Sequence, residues 1–188
     1  MNHRIFIAIN FPDDLKKSIL DSQNKLKKFG WPVRWVGETN MHLTLKFLGS
    51  INEESLKKLR QIVGGVVSRY KLFTIEFKDL LAFPTLSKPR VIGVAILENQ
   101  ELENLANDLR KQVDEANIGE KEVRPFQGHV TIGRVKNPRG HWQALSKIDF
   151  SDSFTVKSVE IMESILKPEG PVYKVVETFQ LRDMSDKN

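Results

Sequence analysis

The chain has 188 residues, 40% of them hydrophobic, and no cysteine. That is enough apolar material for the core of one domain, and it excludes a disulfide framework, thiolate metal sites and a disordered polar chain. The formal net charge of +5 favours an anionic partner such as nucleic acid, or is simply a solvated basic surface.

Arg4 to Ile9 is a short apolar run rich in β-formers and reads as a strand. Phe11-Pro12 breaks it. Asp13 or Asp14 is then placed to cap a helix reaching about Phe29, with Leu15, Ile19, Leu26 and Phe29 on one face. Gly30 and Pro32 end that helix. Val33 to Val36 predicts a short strand, Gly37 to Asn40 a turn, and Met41 to Gly49 a longer strand closed by Gly49 and Ser50. Asn52 is an N-cap, with Glu53 and Glu54 in the first turn of a helix marked by Leu56, Leu59, Val66 and Tyr70 and weakened by Gly64-Gly65. Phe73, Ile75 and Phe77 alternate with polar residues, the pattern of a half-buried strand. Phe83-Pro84 to Lys88-Pro89 is a loop and Arg90 to Leu97 a strand. Leu102, Leu105, Leu109, Val113 and Ala116 define a helix ending near Asn117 and Gly119. A polar loop leads through Arg124-Pro125-Phe126 to a strand at Gly128 to Arg134. Asn137 to Gly140 predicts a turn and His141 to Lys147 a short helix. Two closing strands, about Thr155 to Leu166 and Tyr173 to Leu181, flank a turn at Lys167 to Pro171, and the last polar residues are expected to fray.

Two strands in this series carry a histidine and a threonine two residues apart: His42-Leu43-Thr44 and His129-Val130-Thr131. Alternate residues of a strand share a face. His42 and Thr44, with Lys46, therefore face away from Met41, Leu43, Leu45 and Phe47, and His129 and Thr131 are backed by Val130 and Ile132. His42 comes 38 residues after Arg4, which opens a strand followed by a helix; His129 comes 39 residues after Arg90, which does the same. The organisation repeats although the sequence hardly does. It predicts an α+β fold with two pseudo-symmetric β-helix-β lobes, within a single domain spanning 1–188, that face each other across a central cleft.

A pair of imidazoles suits acid–base chemistry at phosphorus. One neutral ring accepts a proton from the attacking oxygen and one charged ring gives a proton to the leaving oxygen. In-line displacement puts these two groups on opposite sides of phosphorus. The Thr44 and Thr131 hydroxyls can donate to the non-bridging oxygens. The sequence has no His-Glu-x-x-His pattern, no Gly-x-x-x-x-Gly-Lys-Ser/Thr loop and no dinucleotide-binding glycine fingerprint in context, so we expect neither a metal nor a nucleotide cofactor.

Arg34-Trp35-Val36 followed by Asn40-Met41-His42-Leu43-Thr44-Leu45-Lys46-Phe47-Leu48-Gly49 resembles the first signature of the two-histidine (2H) phosphoesterase superfamily. It is most similar to the branch of RNA 2′,3′-cyclic phosphodiesterases, also called 2′-5′ RNA ligases. His129-Val130-Thr131-Ile132-Gly133-Arg134 resembles the second signature. Arg4 to Ile9, Lys88-Pro89-Arg90-Val91, Ser164-Ile165-Leu166, Tyr173 and Phe179-Gln180-Leu181 are similar to other family segments, so the likeness covers nearly the whole chain. Departures are Gly128, where the family often has proline, and Gly93, in a region where it often has an aromatic; neither removes a reacting group. The resemblance implies antiparallel sheets lining the cleft and hydrolysis of a terminal 2′,3′-cyclic phosphate to a 2′-phosphomonoester. By the same analogy His129 is the proton acceptor, His42 the proton donor, and Thr44 and Thr131 hold the phosphate. The residues themselves do not assign the two histidine roles.

Around this pair, Arg134 stands at an odd offset from His129 and reaches the phosphate only if Gly133 marks a bulge or strand end. Lys46 shares the face of His42, so it either approaches the cleft or lies solvated beyond it. Trp35, Phe126 and Tyr173 can stack on a base or pack in the fold, with Phe126 the first choice for stacking. Arg4 and Arg90, at strand openings, either face anions or, the preferred reading, are plain surface residues; His3 and His141 read as surface residues. No apolar stretch reaches the length of a membrane span and the N-terminal residues lack a signal-peptide pattern. We therefore expect a cytoplasmic, monomeric, metal-independent enzyme acting on RNA with 2′,3′-cyclic phosphate ends or related nucleotides, without a membrane partner. Two rivals use the same residues: a 2′-5′ RNA ligase or small cyclic-nucleotide phosphodiesterase, and a non-catalytic RNA-binding module.

Overall fold

A computed structural model describes residues 2–139, 142–168 and 170–183. The elements are β1 (Asn2–Asn10), α1 (Asp13–Lys27), β2 (Val33–Trp35), β3 (His42–Asn52), α2 (Glu53–Val67), β4 (Phe73–Phe83), β5 (Val91–Ile96), α3 (Gln100–Glu115), β6 (His129–Val135), β7 (Ser151–Val156), β8 (Ser158–Lys167) and β9 (Gly170–Gln180). Two 3-10 turns, Glu38–Asn40 and Trp142–Lys147, complete them. His141, placed in a helix by the sequence, lies outside the described residues, as do Gly140, Glu169 and the polar tail expected to fray.

The helices form where apolar residues recur at helical spacing. Leu15, Ile19 and Leu26 of α1, Leu56, Leu59 and Val63 of α2, and Leu102, Leu105 and Leu109 of α3 are all buried in one core. Each such side chain contributes about 1.5–3 kcal/mol on full burial. Asn52 and Asn99 cap α2 and α3, their side chains accepting from Ser55 N and Leu102 N at 2.9 Å. Asp13 and Asp14 do not cap α1: Pro12 holds the N-cap position, and both acids sit in the first turn, against its positive end. Phe29 lies past the helix end and stacks on Trp31 instead of entering the core. Gly64 is tolerated inside α2 because the Phe179 ring packs against its bare face.

Among the described residues nine strands join one sheet in the order β7-β4-β5-β6-β3-β1-β8-β9, with β2 on β6. Every ladder among these strands is antiparallel. The antiparallel α+β class is thus the one expected. The strand expected at about Thr155 to Leu166 is in fact two, β7 and β8, separated by Lys157 alone. These strands stand six places apart in the sheet order, roughly 29 Å if the sheet were flat. One residue spans at most about 7 Å between the flanking Cα atoms. The sheet must therefore curl until β7 and β8 meet. Leu72 N donating to Arg182 O and Arg182 N donating to Tyr70 O, at 3.0 and 2.9 Å, tie the start of β4 to the end of β9 and close the same curl.

Candidate active site

The two histidine strands are neighbours in the sheet, joined at a single pair, Leu43 with Val130. Both of those side chains are fully buried on the helix side. Period two then turns His42, Thr44, His129 and Thr131 to the opposite face, where they line one cavity of about 460 Å³. That volume falls in the range of small-ligand pockets, about 300–1,000 Å³. Beyond Val130, β2 takes over the same edge of β6, pairing at Gly133 to Val135 and adding Arg34 and Trp35 to the rim. Gly133 allows this close approach, since a Cβ there would lie 2.6 Å from Val33 Cγ1.

The histidines are held alike. His42 Nδ1 lies 2.8 Å from Asn40 O, and His129 Nδ1 lies 2.9 Å from Gln127 O. A carbonyl oxygen only accepts, so Nδ1 carries the proton in both rings and Nε2 is left for the cleft. In the neutral His42 that Nε2 accepts from the Thr44 hydroxyl at 3.0 Å. Each ring also packs on a phenylalanine: Phe6 lies 4.9 Å from His42 and Phe83 lies 4.6 Å from His129, centroid to centroid. Tyr173 meets His42 edge-on. Burial in this aromatic setting pulls the His42 pKa down to about 4 against the pull of the Asn40 bond, and nearby Arg134, Lys16 and His129 lower it further. Alone in the cleft, His42 is therefore neutral near pH 7.

Both strands then lose a beat at the same point. Ala8 pairs with Thr44 and Ile7 with Lys46, so Leu45 is an extra residue in β3. Gly93 pairs with Thr131 and Ile92 with Gly133, so Ile132 is an extra residue in β6. A bulge of one residue reverses which side chains face which way. Arg134 thereby turns into the cleft, fulfilling the condition its odd offset imposed. The reversal in β3 corrects two other expectations. Lys46 does not share the face of His42: it is fully buried on the helix side, donating to Asp114 Oδ1 at 2.8 Å and Glu120 O at 3.4 Å. Phe47 is not backing either; it is 49% exposed and lines the cleft.

The remaining candidates divide. Trp35 and Tyr173 line the cleft, but Phe126 does not: it packs against the core under the Arg110 guanidinium, 5.3 Å from its ring centroid. Arg90 is exposed and lines neither this cavity nor the one beside it, whereas Arg4 lines the neighbouring cavity. His3 is not a free surface residue; it bridges Glu163 and Glu53 at 2.7 Å each. Phe6, Phe47 and Phe83 are the site residues that sequence patterning passed over. Phe6 hid in an apolar run read as core, and Phe83 in a stretch read as loop. Among the described residues no three His, Cys, Asp or Glu side chains converge to hold a metal.

A profile of the LigT-like phosphoesterase family matches residues 9–93 and 96–173. The RNA 2′,3′-cyclic phosphodiesterase of Thermotoga maritima is 34% identical over 175 residues, covering 92% of this chain and 92% of the relative. The crystal structure of TT0787 of Thermus thermophilus superposes with a TM-score of 0.83 at 28% identity, covering 96% of this chain and 99% of that one. E. coli LigT in complex with 3′-AMP superposes with a TM-score of 0.77 at 25% identity, with the same coverage.

Proposed function

Since the chain belongs to the LigT-like phosphoesterases and is a hydrolase of phosphodiester bonds, we propose that it opens the 2′,3′-cyclic phosphate at the end of an RNA, leaving a 2′-phosphomonoester. The observation that carries this reading is the matched pinning of His42 and His129, each with Nδ1–H on a backbone carbonyl, in rings that line one cleft. The named activity of the Thermotoga relative and the nucleotide in the LigT complex support the substrate class. His129 Nε2 takes a proton from water as the water oxygen attacks phosphorus. The bond from phosphorus to O3′ breaks, and His42 Nε2–H gives its proton to O3′. Thr44, Thr131 and Arg134 donate to the non-bridging oxygens.

The low pKa of His42 means that it takes up its proton from solvent as the substrate anion binds. A bound phosphate anion favours the charged imidazole and offsets the burial and the Arg134 charge that disfavour it. The same event frees Thr44. Once His42 Nε2 carries hydrogen it no longer accepts from the Thr44 hydroxyl, which then turns to phosphate. All the groups named line a cleft within one chain, so the proposed reaction asks nothing of a second copy.

The test is end-group analysis of a cyclic-ended oligoribonucleotide after incubation. We expect a 2′-phosphate, unchanged rates in EDTA, and losses of about 10²–10⁴-fold or more in both His42→Ala and His129→Ala. Full turnover by either variant removes the mechanism. RNA held with its cyclic end intact points to a binding module, and joining to a 5′-hydroxyl partner points to a ligase.

A further inference from the structure

A second cavity of about 980 Å³ adjoins the catalytic one and shares Arg34, Phe47, Arg134, Pro171 and Tyr173 with it. The two therefore form one groove that starts at the histidines and leaves along β1 and β3. Its far end carries Arg4 from β1, Lys121 from the loop after α3, and Lys167 from the end of β8. All three are exposed, and none has a carboxylate partner among the described residues. The groove is lined by five cationic side chains against two carboxylates, Glu120 and Glu122. Glu122 is already bound to Arg110 at 3.0 Å. Arg4 pairs with Ser50 in the ladder where Asn10 pairs with His42, six residues along β1 and so about 20 Å away. A mononucleotide seated at His42 does not bridge that span; a short oligonucleotide does.

We propose that this groove is the track for the RNA strand 5′ of the cyclic end, with Arg4, Lys121 and Lys167 binding its upstream phosphates. The inference rests on the proposed function and adds the polarity and length of the substrate. It makes the enzyme a reader of chain ends: the terminal nucleotide is processed at the histidines, while the cations at the far end hold only substrates that continue upstream. No base-specific contact is involved, because phosphate contacts position a strand without reading its sequence.

The experiment compares adenosine 2′,3′-cyclic phosphate with cyclic-ended oligoribonucleotides of increasing length, using the wild type and an Arg4→Gln, Lys121→Gln, Lys167→Gln triple variant. We expect KM to fall with length in the wild type. In the variant, KM for the longest oligomer rises about tenfold and its logarithmic salt slope drops by about two, at about 0.7 per phosphate on a single strand. Turnover of the mononucleotide stays as in the wild type. A matched variant with Lys25, Lys57 and Lys111 changed to Gln, all exposed and lining neither cavity, keeps the length dependence. Equal KM for all lengths in the wild type, or equal loss in the matched variant, overturns the track. If nothing is hydrolysed, the functional reading fails by itself. The track is then judged by the affinity for 3′-phosphorylated oligonucleotides: length dependence lost in the triple variant supports it, and affinity unchanged there overturns it.

Discussion

His42 is a base made weak by its surroundings, and that weakness can be measured. Burial holds its pKa at about 4, below the ordinary value of 6.5. In the free protein its NMR titration should fall near pH 4 and move upward when inorganic phosphate fills the cleft. A midpoint near 6.5 without phosphate, or no movement with it, removes the proton-on-binding step. The same group predicts a pH-dependent stability. The unfolded chain protonates His42 at about 6.5 and the folded one only near 4, so protonation favours unfolding between these values. Stability from this source is full above pH 6.5 and is lost as pH falls towards 4, by at most about 3 kcal/mol. His3 has the opposite sign. Hydrogen bonds that the ring donates to Glu163 and then Glu53 raise its pKa, so its contribution is full below 6.5 and is lost as pH rises through the folded value. Thermal melts across pH should lose the acid-side decline in His42→Gln and the alkaline-side decline in His3→Gln. Unchanged profiles would mean that neither ring titrates differently on folding.

The two bulges decide what the cleft contains, and each is held from a distance. The carbonyl of the extra residue Leu45 accepts from Arg110 Nε of α3 at 3.1 Å, and that of the extra residue Ile132 accepts from Gln23 Nε2 of α1 at 2.9 Å. Arg110→Ala should therefore impair phosphate binding although Arg110 lines neither cavity. With Phe126 also losing its cation, we expect destabilisation of about 1–3 kcal/mol, read by denaturant melts together with KM. Buried Lys46 gives a sharper contrast. Asp114→Ala strands a fully buried ammonium and should cost about 3–5 kcal/mol; Lys46→Met removes that charge, leaves a partly solvated carboxylate, and should cost clearly less. Equal costs would mean that water reaches Lys46. These bulges also mark where sequence reading stopped. His42, Thr44, His129 and Thr131 were legible because period two holds over the two residues that separate each pair. Lys46 and Phe47 were misread, since an extra residue shows only against the partner strand's register, which a single sequence does not contain. The break at Lys157 was hidden for the same reason: alternation runs on either side of it, and only the pairings with β4 and β1 tell the strands apart.

At the scale of the whole molecule, the matched distances from strand opening to histidine suggest two lobes, yet the chain is braced across them. Strands β1, β3, β8 and β9 lie on one side of the Leu43–Val130 pair and β4 to β7 on the other. That single pair would be a weak seam. The helices, however, cross it. α1 follows β1 but bonds through Gln23 to Ile132 O on β6, and α3 follows β5 but bonds through Asp114 and Arg110 to β3. One continuous core takes buried apolar residues from all three helices and from both halves of the sheet, with Phe6, Ala8 and Met162 clustered apart from it. A half that unfolded alone would take with it a helix face that the other half needs for burial, so neither half has a stable isolated state. We therefore expect one cooperative thermal transition, with calorimetric and van't Hoff enthalpies in agreement, instead of one transition per lobe. Gln23→Ala probes this bracing directly, because it removes the donor to Val36 O and leaves Ile132 O with the Val36 N–H alone, at 2.9 Å. It should lower the single transition by an amount equivalent to about 1–3 kcal/mol without splitting it. Two resolved transitions, in the wild type or in this variant, would show that the lobes fold apart and that the crossed helices are packing without coupling.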